Sequence, residues 1–162
     1  MKPGEAPGQV FNYQTFGMNI LTHAVASAYN LYKTSDPERG AGFGTLTEWK
    51  VRNPIGGTWR WKYNNFDMHP EARQDIFGYY TGYEMTPRDM ARLGLLWLNK
   101  GSWNGTQIVP EAWIEKATRV SDEILTNQPV DRHVYGLGFW CNDQLQVWPE
   151  LPADCFAASG AG

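Results

Sequence analysis

The chain has 162 residues, 42% of them hydrophobic and 19% charged, which is the composition of a globular protein and excludes a disordered or fibrous one. That length suffices for one domain, able to bury roughly 70% of the surface its unfolded chain exposes. A formal net charge of −3 gives no basic footprint for nucleic acid or an anionic membrane, and no apolar run approaches the ~20 residues of a membrane-spanning helix.

In chain order, the N-terminus Met1–Gly8 is rich in Pro and Gly, and Gly4 to Gly8 reads as a loop. The N-terminus carries one basic charge and no apolar core of a signal peptide, so it assigns no compartment. From Met18, the apolar residues Ile20, Leu21, Ala24, Val25 and Ala28 recur at helical spacing and predict an amphipathic helix to about Leu31. His23 falls inside that pattern and reads as an ordinary core or surface histidine. Ser35 to Gly40 carries turn chemistry. A second short helix is expected from Thr45 to Arg52, stopping before Pro54. Residues 56–84 show no clean period and read as a long irregular excursion, with Trp59 and Trp61 alternating like strand or cleft-wall residues.

The best-specified element follows. Thr86-Pro87-Arg88-Asp89 offers an N-cap hydroxyl, a proline at the first helical position and a carboxylate on the positive end of the dipole. Asp89 is thus expected to cap a helix, not to serve as an acid catalyst. Met90, Leu93 and Trp97, with Ala91, Leu95 and Leu98, give the helix a broad apolar stripe, and Lys100-Gly101 closes it. Asn104-Gly105 marks a tight turn, and Ile108 to Glu111 leads into another short helix reaching Ala117. The acids between 120 and 131 read as a solvated loop. Tyr135 to Trp140 reads as a strand, and Cys155 to Gly162 begins as one before running into glycines.

Cys141 and Cys155 allow either a disulfide or two reduced thiols. With three scattered histidines (His23, His69, His133) and no C-x-x-C, no metal site is expected. Eight Trp, eight Tyr and seven Phe suit a large core or the walls of a ligand cleft better than a dedicated carbohydrate platform.

Several of these segments, in this order, resemble the serine β-lactamase and penicillin-binding family, in the branch holding class C β-lactamases, D-alanyl-D-alanine carboxypeptidases and bacterial esterases. Pro7-Gly8-Gln9-Val10-Phe11-Asn12-Tyr13-Gln14-Thr15 is similar to the approach to that branch's Y-x-N motif. Pro54-Ile55-Gly56 resembles its P-L-G segment. Thr86 through Gly101 resembles its T-x-x-D-L-A-R-L-G helix. Trp103 to Pro110 with Trp113, and Tyr135-Gly136-Leu137-Gly138-Phe139-Trp140, fit the same branch. The resemblance covers about residues 7–162. It implies an α/β (α+β) fold of the β-lactamase/transpeptidase type, an antiparallel sheet flanked by helices with a helical region.

The family's nucleophile is the serine of S-x-x-K, with hydroxyl and lysine one helical turn apart. Three positions after Ser27, Ser35, Ser102, Ser121 and Ser159 stand Asn30, Glu38, Gly105, Ile124 and Gly162, none of them lysine. The resemblance therefore implies that residues 1–162 form a single incomplete domain, its nucleophile ahead of Met1 and its last part beyond Gly162.

By the same resemblance Tyr13 is the catalytic phenol of Y-x-N, able to move protons beside an ammonium. Read without it, Tyr13 is a buried tyrosine at the start of the first helix. Thr15 takes the family's Asn position as a substrate-binding residue, but a hydroxyl lacks the paired donor and acceptor of an amide. Ala158-Ser159-Gly160 corresponds to K-T-G or H-x-G. Ser159 and Gly160 are then substrate-binding, and Ala161 offers the N–H that completes the oxyanion hole. Ala158 replaces a cation or imidazole. On composition alone, 158–162 is a small-residue turn.

The function implied is acyl transfer on a small-molecule ester or amide, without metal or organic cofactor, in a periplasmic or secreted setting. The two departures favour an esterase-like member. The alternative is a non-catalytic glycan- or peptide-binding relative of the same fold.

Overall fold

The computed structural model describes residues 6, 10–29, 46–61 and 83–159. The expected turn at 35–40, the stretch 62–82, and the site residues Gly160 and Ala161 lie outside the described residues, as does the side chain of Thr15. Within them the protein is α+β, built of helices and small antiparallel strand pairs. Where one antiparallel sheet was expected, the described strands form three separate two-stranded ladders. The chain divides into two compact units: Met1–Tyr13 with Lys100–Ser102 and Val109–Gly162, and Gln14–Asn99 with Trp103–Ile108.

In the second of these, α1 runs Thr15–Ala28. It begins at Thr15 rather than Met18, because helical backbone starts before the first apolar position of the periodic run. Of the expected apolar stripe, Met18, Ile20 and Leu21 are exposed, while among the described side chains of the helix Thr22 is buried. The second helix ends in a π turn, Glu48–Arg52. Here the Asn53 N–H donates to Glu48 O, and the Gly57 N–H to Arg52 O, each across 2.9 Å. Pro54 has no N–H with which to continue an α ladder. The Arg52 guanidinium then spans the turn, pairing with the Glu48 carboxylate and donating to Trp59 O at 3.1 Å. Strand β1, Arg60–Trp61, pairs antiparallel with β2, Tyr83–Glu84. The two ends of the excursion read as irregular therefore meet in a ladder, too short for alternation to announce it.

Helix α2, Pro87–Leu98, forms as its signals predict: the Thr86 hydroxyl accepts from Asp89 N at 3.2 Å and Pro87 opens the first turn. The face it turns inward is not the one its apolar stripe predicts. Asp89 is fully buried, as is Leu96, while Met90, Leu95 and Leu98 of the expected stripe are exposed. The Asp89 carboxylate accepts the Thr58 N–H (3.0 Å) and hydroxyl (2.8 Å), the Thr86 hydroxyl (2.9 Å) and Arg92 Nη1 (3.1 Å). A carboxylate tied to four donors turns its own face of the helix inward, carrying Leu96, two turns on, with it. Asn104 and Gly105 both adopt positive φ, 48° and 79°, the turn expected between β3 (Ser102–Trp103) and β4 (Thr106–Gln107).

In the other unit, α3 spans Glu111–Ala117 and buries Ile114 and Ala117. The acids beyond it are not in a loop throughout. Ser121 caps a six-residue helix, α4, over Asp122–Asn127, which buries Ile124, and a 3-10 turn follows at Val130–Arg132. A capping serine ahead of two acids was the available signal, and the brevity of the helix concealed it. The run 135–140 is not a strand either. Tyr135 bridges Trp140 across a turn in which Gly138 has φ 96°, and only Trp140–Cys141 is β5. Gly136 lies so close to the carbonyls of Ala117 and Arg119 that a Cβ there would meet them at 2.3 and 2.4 Å.

Strand β6, Phe156–Ala157, returns antiparallel beside β5 with Trp140 opposite Ala157 and Cys141 opposite Phe156. The buried Asn142 side chain makes that return possible. Its amide nitrogen donates to Trp148 O, Leu151 O and Pro152 O at 2.9–3.1 Å, and its oxygen accepts the Trp148 N–H at 2.9 Å. Both cysteines are free. Cys141 faces the same side as Phe156, so Cys155, one position before it, points to the other side of the ladder.

Candidate functional site

Tyr13 leaves the N-terminal segment of the first unit with 57% of its surface exposed, which excludes the reading of a buried structural tyrosine. Its ring is nonetheless held. The Tyr13 centroid lies 5.6 Å from that of Tyr135, nearly perpendicular at 83°, and 5.6 Å from that of Trp140, tilted by 31°. Tyr135 and Trp140 meet at 5.1 Å and 84°, and Phe11 rests on Tyr135 at 5.2 Å. Edge-to-face pairs at these separations are the favoured arrangement for aromatic quadrupoles, each worth about 0.5–1.5 kcal/mol beyond area burial.

The backbone explains the cluster. The bridge between Tyr135 and Trp140 sets those two rings side by side. Phe11 and Tyr13, two positions apart in sequence, both reach Tyr135. Burial pushes the Tyr135 phenol above its ordinary value of 10, and the neighbouring Tyr13 and Cys141 push it further in the same direction, so Tyr135 remains a protonated phenol at neutral pH.

Ser159 comes to the same hairpin from the other end of the sequence. Trp140, which carries Tyr13, faces Ala157 across the ladder, and Ser159 follows two residues later, exposed like Ala158. Of the sequence-derived site residues, Tyr13 and Ser159 thus lie in one unit. Thr15 opens α1 in the other unit. The aromatic partners Phe11, Tyr135 and Trp140 were not singled out from the sequence as site residues. Only the bridge and the register of β5 on β6 bring them together.

The chain matches no family model, no curated protein and no solved structure.

A cleft of about 620 Å³ is lined by Val10, Phe11, Lys116, Arg119, Ile124 and Leu137 among others. Neither Tyr13 nor Ser159 lines it. Among the described residues no group of three or more His, Cys, Asp or Glu side chains could hold a metal ion, and no helix is long and apolar enough to cross a membrane. Cys141 is buried. Burial, then the Asp143 charge, pushes its thiol up to about 11 against an opposing backbone hydrogen bond from Gly136, and a thiol of that pKa carries almost no thiolate at neutral pH.

Proposed function

We propose that this chain forms part of the active site of a serine acyl hydrolase related to the penicillin-binding proteins and β-lactamases. It contributes Tyr13 as the proton-moving phenol, Ser159 and Gly160 as substrate-binding residues and Ala161 as an oxyanion donor. The observation that supports this most is the meeting of Tyr13 with the β5–β6 hairpin that leads into Ser159. Residues 13 and 159, from opposite ends of the sequence, belong to one compact unit, which is compatible with a shared reacting centre.

In this reading a serine of an S-x-x-K motif, ahead of Met1, attacks an ester or amide carbonyl. Its proton passes to the leaving group by way of the phenol, and water then hydrolyses the acyl-enzyme. Ser159 hydrogen-bonds substrate, and the Ala161 N–H stabilises the oxyanion. No metal or organic cofactor takes part.

The test is labelling with a fluorophosphonate probe. The 162-residue chain alone takes up no label. The polypeptide that includes the sequence ahead of Met1 is labelled at the serine of S-x-x-K, and Tyr13→Phe slows that labelling by about 100-fold or more. Stoichiometric labelling of Ser27, Ser35, Ser102, Ser121 or Ser159, or a preceding sequence without S-x-x-K, overturns the proposal. The latter outcome favours instead a non-catalytic glycan- or peptide-binding protein, a reading to which the exposed ring of Tyr13 also lends itself.

A further inference from the structure

We infer that the cleft of about 620 Å³ lined by the N-terminal segment, the α3–α4 connection and the turn at Gly136 binds a short peptide with free termini and an aliphatic side chain. Neither Tyr13 nor Ser159 lines this cleft, so the inference goes beyond the proposed acyl transfer and does not depend on it.

Three features carry it. First, the volume lies within the ~300–1,000 Å³ of small-ligand sites and exceeds what a single amino acid fills. Second, the apolar part of the lining is branched and aliphatic. Val120 and Ile124 are buried, while Val10 and Leu137 line the same cleft with 51% and 40% of their surface open, so an entering apolar side chain covers surface that water otherwise meets. Phe11, the one aromatic ring of the lining, already packs on Tyr135 at 5.2 Å. The lining therefore suits an aliphatic group better than a pyranose, which stacks on an open ring. Third, both signs of charge line the cleft without pairing. Lys116 stands in the last turn of α3 and Arg119 just beyond it, and Asp122 and Glu123 form the first turn of α4. All four are exposed, and among the described residues none of their side chains makes a hydrogen bond or ion pair. A ligand of one sign is attracted by one pair and repelled by the other. A ligand with a carboxylate at one end and an ammonium at the other gains from both, and that is the charge pattern of a peptide with free termini.

The 162-residue chain is titrated with the tripeptide Ala-Leu-Ala, and with the same tripeptide N-acetylated, C-amidated or blocked at both ends. The methyl resonances of Leu137 and Ile124, assigned through Leu137→Val and Ile124→Val, report binding by NMR. The free tripeptide is expected to shift both saturably. Blocking either end weakens binding about two- to fivefold, the range of a solvent-exposed ion pair, and blocking both weakens it further. Lys116→Gln with Arg119→Gln removes the advantage of a free carboxylate and keeps that of a free amine. Asp122→Asn with Glu123→Gln does the reverse. All four side chains are exposed, so these variants fold as the parent does. Equal binding of the doubly blocked tripeptide, tighter binding of methyl β-glucoside, absence of a saturable shift, or loss of both advantages in one double variant overturns the inference. Failure of the hydrolase reading appears separately, in the fluorophosphonate experiment, which involves none of these four residues.

Discussion

Asp89 shows how one side chain serves two purposes. Burial opposes its charge, but the hydrogen bonds from the hydroxyl and amide of Thr58, and from Thr86, outweigh that and hold its carboxyl down from 3.8 to about 2. Between those values the unfolded chain binds the proton that the folded chain refuses, so stability rises with pH across that window. The contribution is complete above 3.8 and is lost as pH falls toward about 2. Denaturant midpoints measured from pH 6 downward should therefore show an acid limb that Asp89→Asn flattens, and the variant should be the less stable protein at neutral pH. The thiols give a second residue-level expectation. Cys141 is buried with its thiol near 11, whereas Cys155 is half-buried. A disulfide-exchange reagent at neutral pH should titrate one thiol promptly in the native protein, Cys155 by mapping, and the second only on unfolding. Prompt loss of both, or formation of an intramolecular disulfide without unfolding, would contradict the placement of the two on opposite sides of the ladder.

Among the elements, α2 makes the sharpest contrast between pattern and packing. Helical periodicity gave Leu98 a place in the apolar stripe and gave Leu96 none, yet Leu96 is fully buried and Leu98 is 77% exposed. Leu96→Ala should cost about 2–5 kcal/mol, as buried leucine truncations do, and Leu98→Ala should fall within about 0.5 kcal/mol of the parent. Urea midpoints at constant m-value decide between them. Equal effects would mean that the helix is not rotated as the Asp89 clamp dictates. The β5–β6 connection depends in the same way on Asn142. Its side chain joins residue 142 to three carbonyls and one N–H between 148 and 152. Asn142→Ala leaves those groups unsatisfied at about 1–3 kcal/mol for each that stays buried. Loss of the ladder, read from hydrogen exchange at the Asn142 N–H that donates to Cys155 O, should accompany the loss of stability.

For the molecule as a whole, the proposed function ties the substrate class to Ala158. Under the proposed function, the protein that includes the nucleophile should hydrolyse short-chain uncharged esters with a higher kcat/KM than cephalosporins. Ala158 offers no partner to a carboxylate, and Ala158→Lys should restore a charged hydrogen bond of about 1.5–3 kcal/mol, or one to two orders of magnitude in cephalosporin turnover. Preference for the cephalosporin in the parent would sink the substrate assignment. Absence of any gain in the variant would remove Ala158 as its cause.

The sequence by itself determined the features whose cause is local. A Thr-Pro-x-Asp start specifies a helix because the cap, the proline and the carboxylate act within one turn, and α2 begins where they stand. Asn104-Gly105 specifies its turn because few other pairs tolerate two positive φ values in succession. Tyr13 and Ser159 were legible as candidate site residues for a different reason, their likeness to motifs, which says nothing of distance. Only the tertiary structure decided which face of α2 turns inward, since that depends on Thr58 reaching Asp89 from a distant loop. It alone replaced a six-residue strand by a bridge at Tyr135, because Gly136 must pass against the carbonyls of Ala117 and Arg119. It alone seated Tyr13 on Trp140. Long-range contacts of this kind follow from the register of β5 on β6 and from Asn142 closing the connection between them, and no periodicity within either segment encodes that pairing.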